Sequence, residues 1–313
     1  MENGDLPETR SETEVAGGAD FRCGYVAICG YPNAGKSTLL NALLDERLAI
    51  VTRKPQTTRR RTLGILTNDG GQIIFVDTPG ILEPRYELQG AMMRQVEQSI
   101  GDADVLLYVV DIRHPRIAPG VQEAAQRKPL IVALNKADLL RTAEEGLPAI
   151  EALRGEVPQA GFHAISALKG AGLPALLAEI FARLPRGPAF YPADQLTEHP
   201  ERFFVAELIR EAAFDRFHEE VPYSVEIELA EFREHPGRKD LIEAIVWVET
   251  ESQKGILIGK GGKAIRGLGR QAREAIEAFL ERPVFLELRV KVQPHWRRDA
   301  QALRRFGYPP PGS

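Results

Sequence analysis

The chain has 313 residues, 43% of them hydrophobic, a formal net charge of −4 and a mean hydropathy of −0.22. That is roughly two domains' worth of packed core, and no apolar run approaches the ~18 residues that an integral membrane helix needs. Two cysteines, Cys23 and Cys29, sit around one short apolar segment, which excludes a disulfide framework and points to buried thiols in a reducing compartment. The charge is unevenly placed: residues 201–250 carry 6 bases and 13 acids, residues 251–313 carry 13 bases and 6 acids, so the C-terminal stretch is a basic face suited to an anionic partner.

Residues 1–21 form an acidic leader with Glu2, Asp5, Glu8, Glu12, Glu14 and Asp20 against the single base Arg10. It has neither the apolar centre of a signal peptide nor the arginines of a transit peptide and is expected to be disordered. From residue 22 to 184, short apolar runs alternate with longer mixed segments, the pattern of an α/β sheet flanked by helices. Strands are expected at Tyr25–Cys29, Leu63–Thr67, Gln72–Val76, Val105–Val110, Leu130–Leu134 and Phe162–Ile165. Helices are expected at 36–44, 87–100, 119–127, 143–154 and 173–183. The turn Asn68-Asp69-Gly70-Gly71 is short enough for a hairpin, so one antiparallel pair should interrupt an otherwise parallel sheet. A Pro- and Gly-rich linker at 185–200 precedes a small α+β domain at 201–300. Its first helix carries Phe204, Leu208, Ala212 and Phe217; strands follow at Val225–Leu229 and Leu241–Val248, then a helix with Ile265, Leu268, Ala272, Ile276 and Phe279 on one face, and a strand through Leu286–Val292. Residues 301–313, ending in Pro-Pro-Pro-Gly-Ser, are expected to be a loose tail.

Gly30-Tyr31-Pro32-Asn33-Ala34-Gly35-Lys36-Ser37 matches G-x-x-x-x-G-K-[ST] between a strand and the helix opening at Thr38, where backbone N–H groups and a helix N-terminus cradle phosphates. Lys36 would bridge the outer phosphates and the Ser37 hydroxyl would ligate magnesium. Asp77-Thr78-Pro79-Gly80 ends a strand: Asp77 is placed to hold magnesium, and the Gly80 N–H to register a terminal phosphate. Asn135-Lys136-Ala137-Asp138 ends the next-to-last strand of the α/β sheet. One carboxylate there accepts the adjacent ring N–H and exocyclic amine of guanine, which adenine does not offer, so Asp138 selects guanine, with Asn135 bracing the loop and the Lys136 stem covering the ring. Ser166-Ala167-Leu168 offers the Ala167 N–H to the guanine carbonyl. In the polar stretch Pro55–Arg61 a threonine can complete the magnesium shell, and Thr58 is preferred over Thr57. After Asp-Thr-Pro-Gly, where Ras-like enzymes carry the glutamine that orients water, this chain has Ile81. Arg53, Arg59, Arg60 and Arg61 are equally eligible as an arginine finger.

In the basic half, Gly259-Lys260-Gly261-Gly262 is a G-x-x-G turn after Ile256–Ile258 and before an amphipathic helix. Such a turn brings backbone close to a nucleic-acid strand, with Lys260, Lys263, Arg266 and Arg270 available to phosphates.

These motifs together, with Gln56-Thr57-Thr58-Arg59, Ile258-Gly259-Lys260-Gly261-Gly262, Val290-Lys291-Val292 and Trp296-Arg297, resemble the Era family of bacterial GTPases over roughly residues 22–300. The resemblance implies a P-loop GTPase domain followed by a KH domain of type II. It implies a slow, magnesium-dependent GTPase lacking the catalytic glutamine, and a switch that binds 16S rRNA near its 3′ end and acts in biogenesis of the 30S subunit. It further implies that Asn33 ligates a potassium ion assisting hydrolysis, and that a cytoplasmic protein contacts the inner face of the cell membrane peripherally. A monomer with no DNA partner is expected. The competing expectation is a constitutive RNA-binding or chaperone protein whose nucleotide site does not gate RNA binding. An ATP-driven enzyme is disfavoured by Asp138.

Overall fold

The computed structural model describes residues 20–52 and 54–310; most of the acidic leader, Arg53 and residues 311–313 lie outside them. The first unit is a six-stranded sheet in the order β2-β3-β1-β4-β5-β6, built from β1 (Arg22–Cys29), β2 (Thr62–Asn68), β3 (Gly71–Asp77), β4 (Val105–Asp111), β5 (Leu130–Asn135) and β6 (Gly161–Ala164). Only β2 runs antiparallel, paired to β3. Their hairpin is closed by Asn68, whose Oδ1 accepts from the backbone N–H groups of Gly70 (2.9 Å) and Gly71 (3.0 Å), the local bond that makes Asn a turn residue. The inner strands are apolar on both faces because helices cover both. On one face α1 (Lys36–Leu44) and α5 (Leu173–Arg183) pack Leu39, Leu40, Leu176 and Ile180 against Val26, Ile28 and Leu107. On the other, α2 (Glu87–Asp102), α3 (Pro119–Ala124) and α4 (Leu147–Glu156) contribute Ile100, Val121 and Leu153. The chain leaves β1 toward β3 on one side and reaches β4 on the other, so a crevice opens at the C-terminal end of β1, the switch point where such sheets bind ligands.

The segment 185–200 spans the units but is not free. Its backbone pairs with the first unit through Cys23 N to Pro185 O (3.1 Å), Gly187 N to Phe21 O (3.0 Å) and Ile65 N to Leu196 O (2.8 Å), and Gln72 Oε1 accepts from the N–H groups of Phe190 and Tyr191. The edge of β2 is thereby covered.

The second unit is a three-stranded sheet, β7 (Glu226–Arg233), β8 (Asp240–Val248) and β9 (Val284–Val292), with β7 antiparallel and β9 parallel to β8. Alternation places Ile242, Ala244, Val246 and Val248 on one face, where they meet Leu208 and Ala212 of α6 (Glu201–Arg216), Leu257 of α8 (Glu251–Ile258) and Leu268, Ala272 and Ile276 of α9 (Lys263–Leu280). A short helix, α7 (Val221–Ser224), leads into β7.

One expectation needs correction, and one element went unassigned. The loose tail is instead α10 (Ala300–Arg305), capped by Asp299, whose carboxylate accepts from Gln301 N (2.8 Å) and Ala302 N (3.4 Å). With Trp296, Phe306 and Tyr308 it buries Leu303 against Leu88, Ala91 and Met92 of α2, so the apolar residues ahead of the prolines outweigh the proline run. The stretch before the G-x-x-G turn is a helix, α8, opened by a Thr250–Gln253 capping box, a sequence signal of the form T-x-x-Q that was legible.

Candidate functional site

The phosphate loop begins where β1 ends. Gly35 holds φ 95°, and a Cβ there would stand 2.2 Å from Asn135 Nδ2, so only glycine lets the loop close against the end of β5. Asn33 also sits in the left-handed region, at φ 62°, with its side chain exposed. Lys36 is buried and donates to Gly30 O (3.1 Å) and Tyr31 O (3.0 Å), which holds its ammonium across the mouth of the loop. The Arg116 guanidinium lies 3.8 Å over the Tyr31 ring, Pro32 packs against Gly80, and Ala34 O accepts from Asn135 Nδ2 at 2.9 Å. Thr38 lines the same crevice.

Three oxygen donors converge beside it. Ser37 Oγ is 2.7 Å from Asp77 Oδ2 and 2.9 Å from Thr58 Oγ1, whereas Thr57 Oγ1 is turned into its own loop, 2.8 Å from Thr52 Oγ1 and 2.9 Å from Lys54 O. Asp77 is fully buried and its Oδ1 has no partner. Burial pushes its carboxyl up to about 6, against the opposing pull of Lys36 and Ser37, and burial likewise lowers Lys36. A carboxylate with an orphaned oxygen beside two hydroxyls is a hard-oxygen set that fits Mg²⁺ completed by phosphate and water. Thr78 bonds back to Ile28 O (2.9 Å), fixing the strand end, and Ile81 N donates to Gly30 O (3.0 Å). Pro79 and Gly80 complete the buried turn between them.

At the neighbouring end of the crevice, a cavity of about 430 Å³ is lined by Lys136, Asp138, Ala167 and Leu168. Asp138 is exposed, with Oδ1 accepting from Ser166 Oγ at 2.5 Å, so Oδ2 and the second lone pair of Oδ1 remain for two adjacent donors. Leu168, 74% exposed, rims the cavity. The Ala167 N–H is given to Asn135 Oδ1 at 2.9 Å; its expected donation to a guanine carbonyl requires sharing or breaking that bond. Lys136, at φ 68°, donates to Asn33 O (2.6 Å) and Asp111 Oδ2 (2.9 Å).

Of the four eligible arginines, two have side chains committed to the second unit. Arg59 is 2% exposed and committed to the second unit: it donates to Val225 O (2.5 Å), Tyr223 O (2.8 Å) and Pro222 O (3.2 Å) and pairs with Glu226 (3.2 Å). Arg60 pairs with the same carboxylate and lies over the Tyr308 ring. The Arg61 N–H is held by Gln95 of α2 at 3.1 Å; Arg53 lies outside the described residues. The loop that carries Thr58 is stitched to α6 as well, through Arg47–Glu211 (2.7 Å), Val51 N to Glu211 Oε1 (3.1 Å) and Lys54 Nζ to the carbonyls of Phe214 and Phe217. These partners stand more than 150 residues away in sequence, and no local pattern announces them.

In the second unit the G-x-x-G residues form a 3₁₀ turn between α8 and α9, with Gly261 at φ 59° and Gly262 at φ 74°. Lys260 lies within it and Lys263 follows it, Ile258 closes α8, and Arg266 donates to Gly261 O at 2.7 Å. Beside it runs a groove of about 470 Å³ between α9 and β9, lined by Ile265, Arg266, Arg270, Arg273 and Phe285. Arg273 and the half-exposed Phe285 were not anticipated; Arg273 continues the Arg266, Arg270 row on one helical face, a spacing that was readable.

A family model described as 50S ribosome-binding GTPase matches residues 25–136, and one described as KH domain matches residues 220–297. The chain is 42% identical to the GTPase Era of Nitratidesulfovibrio vulgaris over 300 residues, covering 92% of this chain and 97% of that one. It is 43% identical to the GTPase Era of Syntrophus aciditrophicus, covering 92% and 95%. Among solved structures, an Aquifex aeolicus Era variant bound to GDP·AlF4⁻ superposes with a TM-score of 0.87 at 40% identity, covering 92% of this chain and 99% of that chain. Era in complex with MgGDPNP and nucleotides 1506–1542 of 16S ribosomal RNA superposes with the same score, identity and coverage. With a P-loop GTPase unit joined to a KH unit and this likeness over nearly its whole described length, the chain belongs to the Era family of GTPases.

Proposed function

We propose that this GTPase is a GTP-driven switch that binds 16S rRNA near its 3′ end through the KH turn and its adjoining groove, and acts in assembly of the small ribosomal subunit. One observation carries the coupling: the loop that brings Thr58 to Ser37 and Asp77 is bonded along its length to α6 and to the α7–β7 entry of the RNA-binding unit. Ser37, Thr58 and Asp77 would hold Mg²⁺ beside a terminal phosphate, and Thr58 sits on a segment whose other attachments lie in the KH unit, so nucleotide state and unit arrangement would be linked. The related structure with MgGDPNP and 16S nucleotides supports both ligands. In this reading Asp138 selects guanine, Lys36 and Gly80 register the phosphates, and Asn33 takes a K⁺ beside them. The protein acts as a cytoplasmic monomer with peripheral contact to the inner membrane face; no helix among the described residues is long and apolar enough to cross a membrane.

The test is binding to an oligonucleotide of the 16S 3′ end at fixed salt, with GDP and with a non-hydrolysable GTP analogue. Tighter binding in the GTP state is expected. Equal affinity in both states overturns the gating and leaves a constitutive RNA-binding protein with a separate nucleotide site.

A further inference from the structure

Asp111 ends β4, directly opposite Asn135 in the parallel register with β5, and belongs to none of the nucleotide motifs. Its carboxylate is nevertheless the most heavily bonded group beside the base cavity. Oδ1 accepts from Arg113 N (3.1 Å) and Arg113 Nε (3.1 Å); Oδ2 accepts from an Arg113 terminal nitrogen (2.8 Å) and from Lys136 Nζ (2.9 Å). The Arg113 side chain is 46% exposed, that of Asp111 16%, so the exposed guanidinium serves as a lock on a mostly buried acid. Burial opposes ionisation of Asp111, but the bonds from Arg113 and Lys136 hold its carboxyl well below the usual range.

We infer that Asp111 is a positioning residue for guanine nucleotides, acting through Lys136, with Arg113 as its lock. The ammonium of Lys136 is stitched between two fixed acceptors on different elements, Asn33 O of the phosphate loop and Asp111 Oδ2 of β4. Its stem is therefore laid along the cavity before a base arrives, and the rotamer freedom a lysine would lose on covering the ring is already gone. Because the stem meets the base and not the terminal phosphate, the benefit is the same for GDP and GTP and appears in the lifetime of the complex.

The inference rests on the guanine reading of this cavity, so Asp138→Asn is measured alongside: retained preference for GTP over xanthosine triphosphate in that variant removes the reading itself. With full-length protein and a fluorescent GDP chased by unlabelled GDP, Asp111→Ala is expected to release nucleotide about tenfold faster, the scale of one charge-assisted hydrogen bond. Arg113→Ala shifts release in the same direction by about threefold, and a fluorescent GTP analogue behaves like GDP. In a Lys136→Ala background, Asp111→Ala adds less than twofold, which a merely structural role would not produce. Where Asp111→Ala fails to fold, Asp111→Asn carries the same cycle, since its amide oxygen keeps the bond from Arg113 N. Unchanged release, an undiminished effect without Lys136, or an effect on only one of the two nucleotides overturns the inference.

Discussion

Replacing Arg59 by alanine tests the joint between the two units directly. The guanidinium and Glu226 are 3% and 4% exposed in their side chains, and Glu226 is also bonded by Arg60 (3.3 Å) and by the Tyr308 hydroxyl (2.8 Å). Removing one partner of a buried pair costs roughly 3–5 kcal/mol because the other charge is left uncompensated. Here the carbonyls of Pro222, Tyr223 and Val225 lose their donor too, and the rings of Phe214 and Trp296, 5.7 and 5.8 Å from the guanidinium carbon, lose their cation. The loss should therefore fall within that range, a fall in melting temperature of roughly 10 °C at a few degrees per kcal/mol. Arg60 remains as a partial partner for Glu226, which limits the loss. Denaturant unfolding of Arg59→Ala, Glu226→Ala and the double variant supplies a cycle whose coupling should exceed about 1.5 kcal/mol. The nucleotide-dependent difference in RNA affinity should shrink in Arg59→Ala, because the loop no longer holds the second unit. Additivity within about 0.5 kcal/mol, with the RNA response intact, would refute the reasoning.

Magnesium-dependent GTP binding should weaken as pH falls through about 6. Burial raises the Asp77 carboxyl to that value, and the metal requires the ionised form; the raised pKa also means that folding carries a cost fully present above pH 6 and absent below the ordinary carboxylate value. Equal magnesium affinity at pH 7.5 and pH 5 contradicts this. Gly261→Asp should weaken RNA binding strongly while GTP turnover without RNA survives. A Cβ there meets open space but the backbone stands at φ +59°, so the effect comes from strain of the turn and from a negative charge at the phosphate path; titration of RNA at two salt concentrations checks it, and unchanged affinity removes the turn from the interface.

Much of the first unit was legible because its signals are local. Buried strands of a parallel sheet are short continuous apolar runs, and the Asn68–Gly71 turn marked the one antiparallel pair. The nucleotide motifs stand at strand ends, where position in sequence nearly determines position in the crevice. The fates of Arg59, Arg60 and residues 300–308 were not legible. An arginine next to a phosphate loop reads as a phosphate ligand until its partners are known, and those partners, Glu226, Tyr223 and Phe306, come from a distant unit. Leu303 and Phe306 stand three apart, but nothing local names the surface they bury against, which is Leu88, Ala91 and Met92 of α2. Local chemistry thus carries the proposed binding sites: glycines that free backbone N–H groups, a carboxylate suited to guanine, a basic turn. The tertiary structure decided how those sites communicate, since burial of charge and apolar surface between units depends on pairings more than 150 residues apart that no local pattern encodes.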